Sequence, residues 1–286
     1  MKSNTLINGE YEQFINSLDR GFQYGDGLFE TILVESNTAC FLKEHIQRLQ
    51  KGCEVLGLPP VNVGIIEREI SQLISTTRYG VIKLILSRGV GERGFTPPTK
   101  PILTRVVSFV AAEVGVNESL SSVDLTLCHT RLSRQPLLAG IKHLNQLERV
   151  LARGELGDNK QLEGLMVDEN GLVIEGTMSN IFIVNKGVLM TPELSQSGVL
   201  GVIREYLIRQ ARQEDIDCQI TELTLDDLKN ADEIFMTNSL MPVRRVKQLN
   251  IDGAFFTKNN DQYTSWALNS VYQDIQRQVN LKGLQH

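Results

Sequence analysis

Three features of this chain combine residue type and setting in a way that allows chemistry: one lysine, one arginine and one helix start. Lys142 follows the apolar run Leu137-Leu138-Ala139-Gly140-Ile141 and precedes a stretch where Leu144, Leu147, Val150 and Leu151 recur at helical steps. The spacing predicts a helix capped by Asn145, ended by Gly154 and Gly157, and packed through that apolar face, so that Lys142 is fixed from its C-terminal side. Apolar surroundings disfavour an ammonium ion, and the neutral amine is the form that makes a Schiff base. On spacing alone, a lysine that simply reaches solvent is the commoner outcome. Arg48 lies in a second helical stretch. Its planar fork suits two parallel bonds to phosphate, although a solvated helix-face arginine satisfies the same spacing. Gly198-Val199-Leu200-Gly201-Val202-Ile203-Arg204 opens a third helix. The unpaired N–H groups and positive dipole end of such a first turn make a natural phosphate site.

These residues need elements to hold them. Leu6-Ile7 reads as a short strand turning at Asn8-Gly9, and the glycine-rich stretch Asp19–Thr31 as a loop leading into the strand Ile32-Leu33-Val34. Helices are predicted over 41–57, stopped by Gly57 and Pro59-Pro60, and over 64–76. Strands follow at 80–87 and 105–112, on either side of a second glycine-rich loop, Arg88–Phe95, with the mobility of a substrate loop. Residues 113–123 read as a linker. Beyond it the pattern predicts a strand at 125–129, a hairpin over 165–174 turning at Asn170-Gly171, and strands at 181–184, 188–190 and 234–236. A helix from 201 to about 213 and a terminal helix over 264–281 complete the reading.

Composition narrows the function classes. A chain of 286 residues makes one large domain or two ordinary ones, with 41 % apolar and 22 % charged residues as in globular proteins. A net charge of −5 argues against a general nucleic-acid surface. No apolar run approaches the roughly 20 residues a membrane span needs, and Met1–Glu10 lacks the pattern of a signal peptide. The four cysteines and four histidines are scattered, which gives a metal site little support. The default expectation is a cytoplasmic, reduced protein without nucleic-acid or membrane partners.

Gly140-Ile141-Lys142-His143-Leu144-Asn145-x-Leu147-Glu148-x-Val150-Leu151 resembles the lysine segment of the 4-amino-4-deoxychorismate lyases. These are small bacterial members of the fold-type IV pyridoxal phosphate enzymes, beside the branched-chain and D-amino acid aminotransferases. Tyr24-Gly25-Asp26-Gly27-Leu28-Phe29-Glu30 resembles a second family signature, and His45-Ile46-Gln47-Arg48-Leu49 a third. Arg88-Gly89-x-x-x-Arg93 and Glu175-x-x-x-x-Asn180-Ile181-Phe182 match two more.

The resemblance implies an α+β, two-domain fold like that of D-amino acid aminotransferase. The domains would run over about 1–115 and 123–286, the second carrying the lysine, with the cofactor between them in a homodimer. It implies pyridoxal 5'-phosphate on Lys142, with Arg48, the turn Gly201-Val202-Ile203, Asn238 and, less directly, Ser239 around the phosphate. Glu175 would face the pyridine nitrogen, where a carboxylate keeps the ring protonated. Arg93 would receive a substrate carboxylate, with Arg131 and Arg134 as further cations. Phe29 and Phe95 would stand where D-specific aminotransferases place a tyrosine and a histidine. The activity implied is conversion of 4-amino-4-deoxychorismate to 4-aminobenzoate and pyruvate. The alternative is a D-amino acid or branched-chain-type aminotransferase.

Overall fold

Alternation of apolar and polar residues builds the first sheet. The computed structural model describes residues 4–74, 79–112, 121–159 and 161–283. In chain order come β1 (Thr5–Ile7), β2 (Glu10–Tyr11), α1 (Arg20–Tyr24), β3 (Gly27–Glu35), β4 (Thr38–Ala39), α2 (Leu42–Leu56), α3 (Val63–Ile74), β5 (Tyr79–Ser87) and β6 (Thr104–Ala111). The strands pair in the order β2-β1-β6-β5-β3-β4, antiparallel throughout. On β3 the residues Leu28, Glu30, Ile32 and Val34 are buried, while Phe29, Thr31 and Leu33 on the other face are half-buried. Helix α2 packs on β3 through His45, Ile46, Leu49, Gly52 and Cys53. The approach is close at Gly52, where a Cβ would stand 2.7 Å from the Leu28 methyls and make that side chain shift.

The second sheet is mixed. Its elements are β7 (Ser121–Leu127), α4 (Leu147–Glu155), β8 (Leu162–Val167), β9 (Val173–Gly176), β10 (Asn180–Asn185), β11 (Val188–Pro192), α5 (Val202–Gln213), β12 (Cys218–Thr221), α6 (Leu225–Asn230), β13 (Glu233–Thr237), β14 (Arg244–Ile251), β15 (Ala254–Thr257) and α7 (Gln262–Gly283). The order is β12-β11-β10-β13-β14-β7-β8-β9, with β15 on β14. β7 runs parallel to both neighbours, and β11–β12 is the other parallel pair. Val123, Leu125, Leu165, Ile181, Ile183, Ile234, Met236 and Val246 form the core of this sheet, all essentially excluded from solvent. The chain divides into two compact units: Met1–Val116 with Ile141–Asn145 and Ile275–His286, and Asn117–Gly140 with Gln146–Asp274. The five residues around Lys142 thus count with the first unit.

Four local expectations change. Residues 20–24 are not loop but a single helical turn, because Asp19 Oδ1 accepts the Gly21 N–H and Gly25, at φ 67°, closes the end. Of the expected linker, 113–120 lie outside the described residues, and Ser121–Val123 are strand, since Arg244–Val246 supply a parallel hydrogen-bonding edge. Asn145 does not cap α4; its side-chain amide donates to the Gly25 carbonyl, and Gln146 stands at the cap position. Nor does α4 pack through its leucines. Leu147, Val150 and Leu151 are 76 %, 63 % and 63 % exposed, and the helix touches the core through Ala152, against Cys128, Met166 and Ile174. Apolar periodicity reports a helix and a sticky face, but not what covers that face.

Candidate active site

The backbone, not a packed helix, positions Lys142. β4 pairs only with Val34 and Glu35, which leaves the edge at the start of β3 open. Residues 142–144 take that edge: Phe29 N–H donates to the Lys142 carbonyl and Leu144 N–H to the Gly27 carbonyl, both at 3.0 Å. Lys142 is half-buried, and its Nζ lies 4.3 Å from the centroid of the Phe29 ring. The amine therefore rests on an aromatic face.

The next residue of β3, Glu30, organises α2. The buried Glu30 carboxylate accepts Arg48 Nε at 2.8 Å and Arg48 Nη2 at 2.5 Å, and His45 Nδ1 lies 2.6 Å from it. Burial pushes the Glu30 carboxyl up, but the Arg48 charge and the bonds from Arg48 and His45 outweigh it and hold the group at about 2. Burial pushes the His45 imidazole down; Glu30 pulls it back, while the Arg48 and Lys142 charges add to the depression. Arg48 is thus locked in orientation by a bidentate carboxylate, a contact the motif alone did not disclose.

Within the second unit the hairpin β8–β9 carries Glu175 into a set of donors. Oε2 accepts the Val199 N–H at 3.0 Å and Asn180 Nδ2 at 3.2 Å, and Oε1 is ion-paired with Arg149. Asn180 Nδ2 also donates to the Val199 carbonyl at 2.8 Å. Arg149 is a residue of α4 to which the sequence assigned nothing. Asn180 also explains Gly201: a Cβ there would lie 1.8 Å from Asn180 Oδ1, so only glycine fits. Helix α5 begins at Val202 with Gly201 as its cap and no side-chain cap bond, so an anion can meet the first-turn amides of Val202 and Ile203.

Asn238 follows β13. Its Oδ1 accepts the amides of Leu240 and Met241 at 2.9 and 2.7 Å, so what it offers a ligand is its side-chain N–H groups. Ser239 beside it is half-buried. The buried hydroxyls of Ser179 and Thr237 have no hydrogen-bond partner, an arrangement that buried polar atoms rarely tolerate without a ligand or water. This donor set, with one buried carboxylate, fits a phosphate-bearing heteroaromatic cofactor. Among the described residues no cluster of His, Cys, Asp and Glu could hold a metal. Burial pushes the Cys53 and Cys128 thiols up to about 11 and about 12, so neither is a nucleophile at neutral pH.

The expected substrate cations divide. Arg93 and Arg131 are exposed, as is Phe95 at 84 %. Arg134 is instead committed to the buried Asp168 at 2.5 Å, whose other oxygen holds the amides of Asn170 and Leu172 in the hairpin turn. That gives Arg134 a structural occupation.

Residues 27–249 match the Amino-transferase class IV family. An aminodeoxychorismate lyase of Vibrio harveyi is 36 % identical over 244 residues, 84 % of this chain and 89 % of that protein. A D-alanine aminotransferase of Bacillus licheniformis is 28 % identical over 247 residues, 82 % of each. The crystal structure of 4-amino-4-deoxychorismate lyase from Pseudomonas aeruginosa superposes with a TM-score of 0.85 at 34 % identity, covering 95 % of this chain and 99 % of that one. The α+β fold is the fold-type IV arrangement, and the chain belongs to the class IV amino-transferase family.

Proposed function

We propose that this protein is an aminodeoxychorismate lyase dependent on pyridoxal phosphate, releasing 4-aminobenzoate and pyruvate. The observation that carries this reading is the setting of Lys142, whose amine lies against the hydrocarbon face of Phe29. A tyrosine there would serve the carboxylate of a small amino acid; a phenyl ring suits a planar cyclic substrate. The lyase relatives from Vibrio harveyi and Pseudomonas aeruginosa support the choice.

Pyridoxal phosphate, when bound, supplies an electron sink for negative charge on the carbon beside the substrate nitrogen. Arg48, oriented by Glu30, the first-turn amides of Val202 and Ile203, and the Asn238 amide hold its phosphate, with Ser239 beside them. Gly201 keeps the helix start open, and Glu175 holds the proton of its ring nitrogen. Lys142 is the residue that would hold the cofactor's aldehyde and, once the substrate amine has taken that place, would act as base, taking at Nζ the proton from the amine-bearing ring carbon of the substrate. The enolpyruvyl group leaves the neighbouring carbon as an enolate with the electrons of its C–O bond, and becomes pyruvate on taking up a proton at its methylene carbon. The ring left behind is aromatic, which drives the elimination. Arg93, with Arg131, meets the substrate carboxylates.

We also read the protein as a cytoplasmic homodimer. Four free cysteines suit a reducing compartment, and no helix among the described residues is long and apolar enough to cross a membrane. The exposed stripe Leu147, Val150 and Leu151 on α4 is apolar surface of the kind a second copy covers. Incubation of the cofactor-loaded protein with aminodeoxychorismate, followed by chromatography, tests the activity: 4-aminobenzoate and pyruvate should appear in equal amounts. Pyruvate without the aromatic product, or neither, would refute it.

A further inference from the structure

Asp26, the carboxylate of the Gly-Asp-Gly box, is the meeting point of two arginines. Arg20 Nε and Arg88 Nε both donate to its Oδ2 at 2.8 Å. With that corner fixed, the rest of the Arg20 guanidinium wraps three successive carbonyls of the loop after Arg93. Nη1 donates to Gly94 O at 3.0 Å and to Thr96 O at 3.4 Å, and Nη2 to Phe95 O at 3.0 Å. The Arg20 stem also runs along the loop, so close that a Cβ on Gly91 would lie 2.8 Å from its Cδ. Tyr24, one turn of α1 further on, accepts the Gly94 N–H at 3.2 Å and sets its ring 5.5 Å from that of Phe95. Arg88 faces the other way, donating to the Leu56 and Gly57 carbonyls at the end of α2, the helix of His45 and Arg48. The loop expected to be mobile is therefore tied down at its centre, while Arg93 beside the tie stays exposed.

We propose that Arg20, oriented by Asp26, is a positioning residue for substrate binding, holding residues 94–96 so that Arg93 is presented in one conformation to a substrate carboxylate. The proposal rests on the lyase reading, in which Arg93 has that task. A guanidinium is required, because only a rigid fork reaches a carboxylate and three carbonyls at once; a lysine offers one point charge. Arg20 is 3 % exposed and has no route to the substrate itself, so its effect passes through the loop.

The test uses cofactor-loaded Arg20→Lys and Arg20→Ala proteins beside the wild type. KM for aminodeoxychorismate should rise by about tenfold or more, with kcat within about threefold, as for a residue that orders binding. The cofactor absorbance spectrum should not change. Trypsin should cut after Arg93 faster in both variants, and millimolar guanidinium should restore slow cleavage and low KM to Arg20→Ala alone. Unchanged KM and unchanged cleavage would overturn the proposal. So would a parallel loss of kcat and cofactor, which marks a merely structural residue. A wild type with no elimination activity would overturn the lyase reading instead, and the cleavage rates would still decide whether Arg20 holds the loop.

Discussion

The Nζ of Lys142 stands 4.3 Å from the centre of the Phe29 ring, while the next residue of the same strand, Glu30, is bonded to His45 and Arg48. Neighbouring residues of one strand thus touch the expected base and orient the expected phosphate-binding arginine. The ring matters to the base. Phe29→Leu should keep the fold and the cofactor but remove an aromatic contact of about 0.5–2 kcal/mol. We expect kcat/KM for elimination to fall by about 3- to 30-fold, measured by the rate of 4-aminobenzoate release. An unchanged value would mean that Phe29 only fills space.

Lys142→Ala should abolish elimination, because anchor and base vanish together. Borohydride treatment of the loaded wild type, followed by peptide mapping, should place the covalent label on Lys142. A label on another lysine would remove the basis of the mechanism.

Glu175→Gln leaves an oxygen for Asn180 and the Val199 amide but turns an amide group towards Arg149. An amide cannot hold a protonated ring nitrogen as a carboxylate does. Turnover should drop by orders of magnitude, while the cofactor dissociation constant changes little, since the phosphate contacts remain. Activity within about threefold of wild type, less than ~1 kcal/mol of barrier, would show that Glu175 is not the ring-nitrogen partner.

The Glu30 cluster should make the fold acid-sensitive. Glu30 is held at about 2, below its usual 4.5, so its stabilisation is complete above 4.5 and is lost as pH falls towards 2. That shift corresponds to something on the order of 3 kcal/mol. His45 acts in the same direction: burial depresses its pKa below 6.5, so protonation of the unfolded chain withdraws stability as pH falls below that value. The melting temperature of the wild type should decline from pH 7 to pH 3 more steeply than that of Glu30→Gln. Parallel declines would show that the cluster contributes no pH-dependent stability.

Much of this was legible locally. The hairpin turn at Gly171, the helix start at Gly201 and the edges of α2 follow from short-range signals: turn dipeptides, glycine and helical spacing. Which cation meets which carboxylate was not, because that choice is made by chain distant in sequence. Arg134 was expected to meet the substrate, and its pairing with Asp168, 34 residues on, could not be read from the spacing. Arg149 drew no assignment from the sequence, and it is the hairpin that brings Glu175 to it. The glycine-rich loop looks mobile until Arg20, more than seventy residues earlier, is found bonded to its carbonyls. Likewise the leucines of α4 predicted a helix correctly but not its exposed side, since a helix period says nothing of the partner.

The central claim is that this member of the family eliminates rather than transaminates. By the family resemblance, Phe29 and Phe95 would take the positions where D-specific aminotransferases carry polar groups for the substrate carboxylate, and a lost charge-assisted hydrogen bond costs a few kcal/mol. The most direct measurement is kcat/KM on one preparation for aminodeoxychorismate elimination and for D-alanine transamination with 2-oxoglutarate. Elimination should be faster by about a hundredfold or more, the equivalent of at least ~2.7 kcal/mol. Comparable values, or faster transamination, would contradict it.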